Sequence, residues 1–560
     1  MEITRRDAIG MTVGAAASAA AADEGQEMFL RLMKANDDAV GRMAQATRGR
    51  LGRGGNIGAL VSAYCSPESS YYRAEKLIPL MERGAQAFVD AQDANGLLDA
   101  GNLSSPPDTA FVVEALAGSL TVARRLQDPK LRRFEETLTR FLKKTGEGLV
   151  TGGVHTPNHR WVICSALARI HALMPDQRYV DRIDDWLGEG IYQDEDGQFP
   201  ERSPNYARVE ADAFVTLARI LKRPALLEPV RRCLTAHLYL MQPDGEMETV
   251  HSRRQDQDRP VPAAYFYLQY RYMAIHDRNT EYAAVARLIA ARPGEGFVEG
   301  TNPVLQFLEE PLLRRALPEG GAAPADYSRV FRNSRMVRVR KGERSATVFG
   351  GEDVPAVMAS GISHNPTFFN YRKGKAVLES VRMGGQFFNL GVFRAERFEH
   401  TGERTALAQR FEAPYYQPLP KQYRNARGDY ALTPAKDGRF WSKLDFPHRA
   451  MSNVVALEQK VTVAQIEGGF ELRFEITERA RVPYTVELSF RPGGRFSGGI
   501  ESSLLKGGMG TYRVGEDAIE FGPGVAEHTM TMVAGLRAAG ECIYITGYTP
   551  FVRTITIKGV

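Results

Sequence analysis

A toroid of paired helices followed by an antiparallel β-sandwich, a mixed α+β chain, is the architecture this sequence predicts, and three observations predict it. From about residue 24 to 315 apolar residues recur at three- and four-residue spacing, the mark of helices with one buried face. Within that half, loops built on a glycine recur at a nearly constant interval. Past the Gly/Pro/Ala-rich stretch Leu317-Pro318-Glu319-Gly320-Gly321-Ala322-Ala323-Pro324 the period changes to two, that of strands. A chain of 560 residues is also too long for one ordinary core. Two domains are therefore expected: a helical one over 23–315, a linker over 316–329, and a sandwich over 330–560 that contributes to the cleft.

The helical segments read as Ala74 to Asp93, Thr109 to Gln127, Arg160 to Met174, Ala207 to Leu221, Leu226 to Leu240 and Ala263 to His276. Between them lie Asn95-Gly96-Leu97, Glu147-Gly148-Leu149, Asp196-Gly197-Gln198 and Asp244-Gly245-Glu246, whose glycines are 52, 49 and 48 residues apart. Each glycine is expected to end a helix in the left-handed conformation. Pro106-Pro107-Asp108, Pro157-Asn158 and Ser203-Pro204-Asn205 read as caps of the helices that follow. About 50 residues is one helical hairpin with a long connection, and such hairpins close into an (α/α) toroid, complete or incomplete, with every long loop on one rim. Asp108, Asn158, His159, Tyr206 and His251 then become candidates for a single site.

Beyond the linker, Met336 to Arg340, Lys460 to Val463, Phe470 to Ile476, Tyr484 to Phe490 and Thr554 to Ile557 alternate or are β-branched, as strands of a large sandwich do.

Hydrophobic content of 43% with 25% charged residues excludes a disordered chain. A net charge of +5 is too small to imply nucleic acid, although a locally basic cleft still suits an acidic sugar. After the N-terminus no apolar run approaches the roughly 20 residues that span a bilayer. The first residues read as an export signal: Thr4-Arg5-Arg6-Asp7-Ala8-Ile9-Gly10 is similar to a twin-arginine start, and Ala20-Ala21-Ala22 before Asp23 supplies small residues for cleavage. An Ala-rich first helix is the alternative. The signal places the mature protein in the periplasm or outside the cell. Cys65, Cys164, Cys233 and Cys542 are scattered without a CxxC pair, so buried free thiols are expected in preference to a zinc knuckle or disulfide framework.

The residues with chemistry to offer sit where loops meet elements. Asn158 and His159 open a helix, whose free N–H groups and positive dipole end favour a carboxylate. Tyr206 is placed equivalently one repeat on, between Arg202 and Arg208. His364 lies in Ser363-His364-Asn365-Pro366, followed by Phe368-Phe369-Asn370-Tyr371-Arg372.

The order of toroid, linker and sandwich, the Asn-His helix start, the Asp196-Gly197-Gln198-Phe199 loop leading to Ser203-Pro204-Asn205-Tyr206 and the sheet-borne His364 together resemble the heparinase II/III and alginate lyase group of polysaccharide lyases. The resemblance implies β-elimination at a uronic acid in a polysaccharide or oligosaccharide. The C5 proton is removed, the C4 oxygen expelled, and the carboxylate neutralised while charge moves onto it. It implies that Asn158 and His159 bind the uronate carboxylate, that His159 or His364 is the base for one epimer, and that Tyr206 is the acid, or base and acid together. Arg160, Arg208, His251, Arg253, Arg254, Asn365 and Tyr371 become subsite residues. No cofactor is implied. Some relatives carry a His-x-His zinc pattern in the sheet domain, but here position 366 is Pro, which argues against a metal. Release of a terminal sugar such as rhamnose from glucuronate falls within the range of such a remote subfamily.

Two other classes compete. A glycoside hydrolase on the same toroid would use carboxylates such as Asp108, Asp194, Asp196, Asp212 or Glu248. A non-catalytic glycan-binding protein would use Trp161, Tyr415, Tyr416 and Trp441 as a sugar platform.

Overall fold

The computed structural model describes residues 5–45, 54–292, 303–351, 365–531 and 540–560. The chain separates into two compact units, Met1–Met241 with Val261–Pro324, and Gln242–Pro260 with Ala325–Val560. The twin-arginine-like segment falls at the start of helix α1 (Arg5–Gln45), and its side chains lie outside the described residues.

In the first unit five helical hairpins follow one another: α2 (Gly54–Cys65) with α3 (Ile78–Ala91), α4 (Pro106–Leu126) with α5 (Arg132–Thr151), α6 (Pro157–Leu173) with α7 (Gln177–Gly188), α8 (Pro204–Ile220) with α9 (Glu228–Leu238), and α10 (Tyr267–Asp277) with α11 (Thr280–Ala290). The first helix of each pair packs on the first helix of the next, α2 on α4, α4 on α6, α6 on α8 and α8 on α10, and α3, α5 and α7 pack outside them. This is an (α/α) toroid. The inner helix α6 is accordingly apolar almost all round, with Trp161, Ile163, Leu167 and Ile170 buried, whereas outer α5 and α7 bury one stripe each.

Gly96 and Gly197 take left-handed φ of 86° each in equivalent turns, closed by bonds from Asp93 N to Leu97 O and from Asp194 N to Gln198 O, both 2.9 Å. Gly148 departs from the expectation. It lies inside α5, and an added Cβ would stand 2.5 Å from the Asn95 carbonyl oxygen. That glycine allows helix and loop to touch; it does not end the helix.

A short last helix, α12 (Pro303–Glu309), packs on α2 and α4 and presents Glu309 to the inner helices. Its carboxylate accepts from Arg169 Nη1 of α6 at 2.6 and 2.8 Å and from Arg219 Nη2 of α8 at 2.9 Å. Burial raises the Glu309 pKa, but the two guanidinium charges outweigh it and hold the carboxyl at about 2.

Among the described residues the second unit is built on a 15-stranded sheet that curls over a shared core. In chain order its strands are β1 (Asp326–Phe331), β2 (Met336–Lys341), β3 (Arg344–Phe349), β4 (Phe369–Lys373), β5 (Ala376–Gly385), β6 (Arg397–Thr401), β7 (Arg404–Tyr416), β8 (Met451–Ile466), β9 (Gly469–Ile476), β10 (Pro483–Phe490), β11 (Arg495–Glu501), β12 (Leu504–Val514), β13 (Asp517–Gly522), β14 (Glu541–Tyr548) and β15 (Phe551–Gly559). They pair in the order β1-β2-β3-β4-β5-β10-β14-β12-β13-β15-β9-β8-β7-β6, with β11 on β12. Among the described strands the pairings are antiparallel apart from a parallel contact of β12 with β14. Phe369 meets Phe470 edge-on at 5.3 Å and Phe474 meets Phe551 at 6.4 Å, so β4, β9 and β15 fill one interior. All four cysteines are free thiols.

Because Glu309 neutralises two arginines inside the toroid, Glu309→Ala leaves both charges uncompensated. Urea unfolding is expected to show a loss of about 3–5 kcal/mol; a loss below about 1 kcal/mol would mean that the cluster carries no stability. The folded pKa lies below the unfolded one, so this contribution is present above roughly pH 4.3 and fades as pH falls toward 2.

Candidate active site

Three successive inner helices start in the same way. Ser105-Pro106, Thr156-Pro157 and Ser203-Pro204 place an extended cap residue before a proline that begins the helix, where the missing N–H is no loss. Ser105 Oγ accepts from Asp108 N and Ser203 Oγ from Tyr206 N, each at 3.2 Å. Counting from the cap, Asp108, His159 and Tyr206 hold the same third helical position on α4, α6 and α8. Sequence repeats therefore become a ring of an acid, an imidazole and a phenol at one rim.

Burial pushes the Asp108 carboxyl up, but bonds from Ser105 and Asn102 pull it below the ordinary carboxylate range. Asp108 is thus an anion beside His159. His159 Nδ1 accepts from the His155 backbone N–H at 3.3 Å, so the neutral ring carries its hydrogen on Nε2. In that tautomer His159 is a donor, which suits a carboxylate or a leaving oxygen and not proton abstraction.

Asn158 does not lie at the surface where the expected carboxylate contact would need it. It is fully buried, and its Nδ2 donates to Thr156 Oγ1 at 2.9 Å and Glu201 Oε2 at 2.6 Å. Both amide hydrogens are therefore taken. Glu201 Oε2 also accepts from the Asn158 N–H at 3.3 Å, so the bond ties the start of α6 to the loop before α8. Asn158 is a positioning residue for its neighbour His159. Glu210, one turn below Tyr206 on α8, is wholly buried, and burial together with the charge of Glu201 pushes its carboxyl well above the usual range.

Six residues further along each helix, about 9 Å deeper, lie Glu114, Ser165 and Asp212. With Phe111 and Arg208 they line a cavity of about 170 Å³. Glu114 and Asp212 are hydrogen-bonded to each other, and burial followed by the Asp212 charge pushes the Glu114 carboxyl up to about 8, against the pull of Arg169 and Arg208. Gln306 Nε2 donates to Glu114 at 2.7 Å and Gln269 Nε2 to Asp212 at 3.2 Å. A hydrogen-bonded pair is too close for glycoside hydrolysis, whose carboxyls stand about 5–9.5 Å apart.

The other predicted residues divide as follows. Arg160 pairs with Glu189 at 2.9 Å and stacks over Trp161 at 4.7 Å, and Trp161 is buried, so it is no sugar platform. Arg208 is half-buried at the cavity wall. His251, Arg253, Arg254, Asn365 and Tyr371 belong to the second unit. There His251 is buried and the two arginines are half-buried. Asn365 Oδ1 caps Thr367 N at 3.0 Å and lines a cavity of about 350 Å³ together with Arg259, Arg372 and Arg491. Tyr371 is corrected to a core residue: its ring meets Phe470 at 6.0 Å and its hydroxyl donates to Gly468 O at 3.2 Å. His364 lies outside the described residues.

Sequence reasoning missed Glu201, Glu114 and Glu210, and it weighed Glu248 only as a hydrolytic acid. Glu248 is buried and accepts from Arg338 at 3.2 Å, Asn370 at 3.0 Å and Thr347. Burial raises its pKa, but Arg338 and these bonds outweigh burial and hold it at about 2. The signal for Glu114 was available in its six-residue offset from Asp108, matched by that of Asp212 from Tyr206.

A carboxyl pushed up to about 8 is protonated at pH 7. Infrared difference spectra are expected to show, besides the absorption of Glu210, a protonated carboxyl band at that pH that Glu114→Gln removes and that moves to lower pH in Asp212→Asn, where the like charge is gone. A spectrum unchanged by Glu114→Gln would refute the assignment.

No protein-family model matches this chain, and no curated protein matches it. Among solved structures, it superposes on heparinase III with a TM-score of 0.54 at 12% identity, over 90% of this chain and 76% of that one. On the Streptomyces coelicolor A3 chondroitin AC lyase the TM-score is 0.51 at 12% identity, over 95% of this chain and 79% of that one. A family 76 glycoside hydrolase from a bovine Bacteroides thetaiotaomicron strain covers 47% of the chain with a TM-score of 0.30. The chain has the toroid-and-sandwich fold of heparinase III and chondroitin AC lyase, at a remote level of sequence similarity.

Proposed function

We propose that this protein is a polysaccharide lyase that breaks the glycosidic bond at C4 of a uronic acid, such as glucuronate or iduronate, by β-elimination. The observation that carries this reading is the equivalent placement of Asp108, His159 and Tyr206 on three consecutive inner helices, with His159 held as a donor. In the reaction the C5–H and C4–O bonds break, a C4=C5 double bond forms, and the proton ends on the leaving oxygen; no water is consumed. The uronate carboxylate meets the His159 Nε2–H, which draws charge onto it in the transition state. Tyr206, on the neighbouring helix, is the proton carrier: its phenolate oxygen takes the C5 proton and the phenol so formed returns it to O4, when both lie on one face of the sugar. Asn158 and Glu201 fix the backbone that carries His159. The fold shared with two lyases supports this reading, although fold alone does not decide a reaction.

Hydrolysis is the weaker reading, because the Glu114 and Asp212 carboxyls inside the toroid are hydrogen-bonded to each other. The test is ultraviolet absorbance of the unsaturated uronate on incubation with heparan, alginate, glucuronan, ulvan and gum arabic. Tyr206→Phe and His159→Ala are each expected to cost about 100- to 10,000-fold. New reducing ends without that absorbance would overturn the proposal.

A further inference from the structure

Of the three tryptophans, Trp161 is buried, Trp186 is half-buried and Trp441 is 59% exposed. Trp441 stands on an excursion of the sheet unit, residues 417–450, between β7 and β8. Exposed with it are Phe440 and Tyr415, each 55%, and Leu432, 60%. Singly exposed apolar residues mean little, but exposed aromatic and apolar side chains gathered on one loop and the end of the strand before it mark a contact surface.

The cluster is held rigid. Trp441 pairs with Pro434 in a short antiparallel ladder, Ala435 N donates to Phe440 O at 2.8 Å, and Lys436 N donates to the Tyr416 hydroxyl at 2.8 Å. Arg439 is fixed by a 2.6 Å bond to Asp437 and lies 5.1 Å from the Phe388 ring and 5.2 Å from the Phe440 ring. Tyr415 meets Phe388 edge-on at 6.5 Å. A surface fixed in this way loses little entropy when a ligand arrives.

The same excursion concentrates positive charge. Residues 417–450 hold seven Lys or Arg against three Asp, an excess of four in a chain whose net charge is +5. Lys421 and Arg427 are exposed. Aromatic rings flanked by cations complement a polymer with apolar sugar faces and regularly spaced carboxylates. They do not suit a two-fold contact between copies, which would set this basic surface against itself.

We propose that the 417–450 excursion is a non-catalytic binding surface for an acidic polysaccharide, stacking pyranose rings on Phe440 and Trp441 and pairing carboxylates with the surrounding lysines and arginines. It is built from residues of the second unit alone, and binding there needs no turnover, so its fate is independent of the elimination reading.

The test is affinity electrophoresis of the full chain carrying Tyr206→Phe, in native gels cast with alginate or with neutral dextran, with and without Phe440→Ala/Trp441→Ala. Both side chains are exposed, so folding should survive, and circular dichroism checks it. The expected result is retardation by alginate but not dextran, weakened about ten-fold by the double substitution and by rising salt. Retardation unchanged in the double variant, or absent altogether, would overturn the proposal. So would a dimer in sedimentation velocity that the double substitution abolishes while alginate retardation persists.

Discussion

Each inner helix of the toroid from α4 to α8 begins at the same rim, and the candidate site follows from that constraint. A Ser or Thr cap followed by proline fixes where each helix starts, so a residue three positions in points from the same level on every helix. Asp108, His159 and Tyr206 share a rim because their helices start alike. The long connections before α4 and α8 add what the helix ends lack. Glu201, from the connection before α8, fastens Asn158 and through it the backbone that carries His159.

Below the rim the toroid interior is polar, which is costly unless every charge is matched. Glu309 matches Arg169 and Arg219, and Glu114 yields its charge to Asp212 by keeping a proton. The result is a floor that is structured and nearly neutral beneath a rim that carries an anion, a donor and a phenol. Carboxyls committed to one another or to arginines are poor hydrolytic catalysts. That distribution places the available chemistry at the rim, where elimination asks for a donor and a proton carrier.

The helices and most strands were legible because burial imposes a period, and the caps because in each a Ser-Pro or Thr-Pro pair stands directly before an apolar helical run. Gly148 misled because a glycine that permits close packing looks like one that ends a helix. Asn158 misled because its partner Glu201 is 43 residues away, and nothing local distinguishes a buried amide from one open to ligand. Tyr371 was readable in hindsight: in β4 it shares a face with Phe369, which is buried, while Asn370 faces Glu248. The Glu114–Asp212 pair joins residues almost a hundred positions apart, and the only trace of it in the sequence is the six-residue offset each keeps from Asp108 and Tyr206.

The most direct test of the central claim is the origin of oxygen in the product. Digestion of a susceptible uronate glycan in heavy-oxygen water, followed by mass spectrometry, separates the two chemistries without reference to any residue. The account predicts a new non-reducing end one water lighter than the hydrolytic product, with no heavy oxygen gained at cleavage. A product that gains one heavy oxygen per bond broken would contradict it.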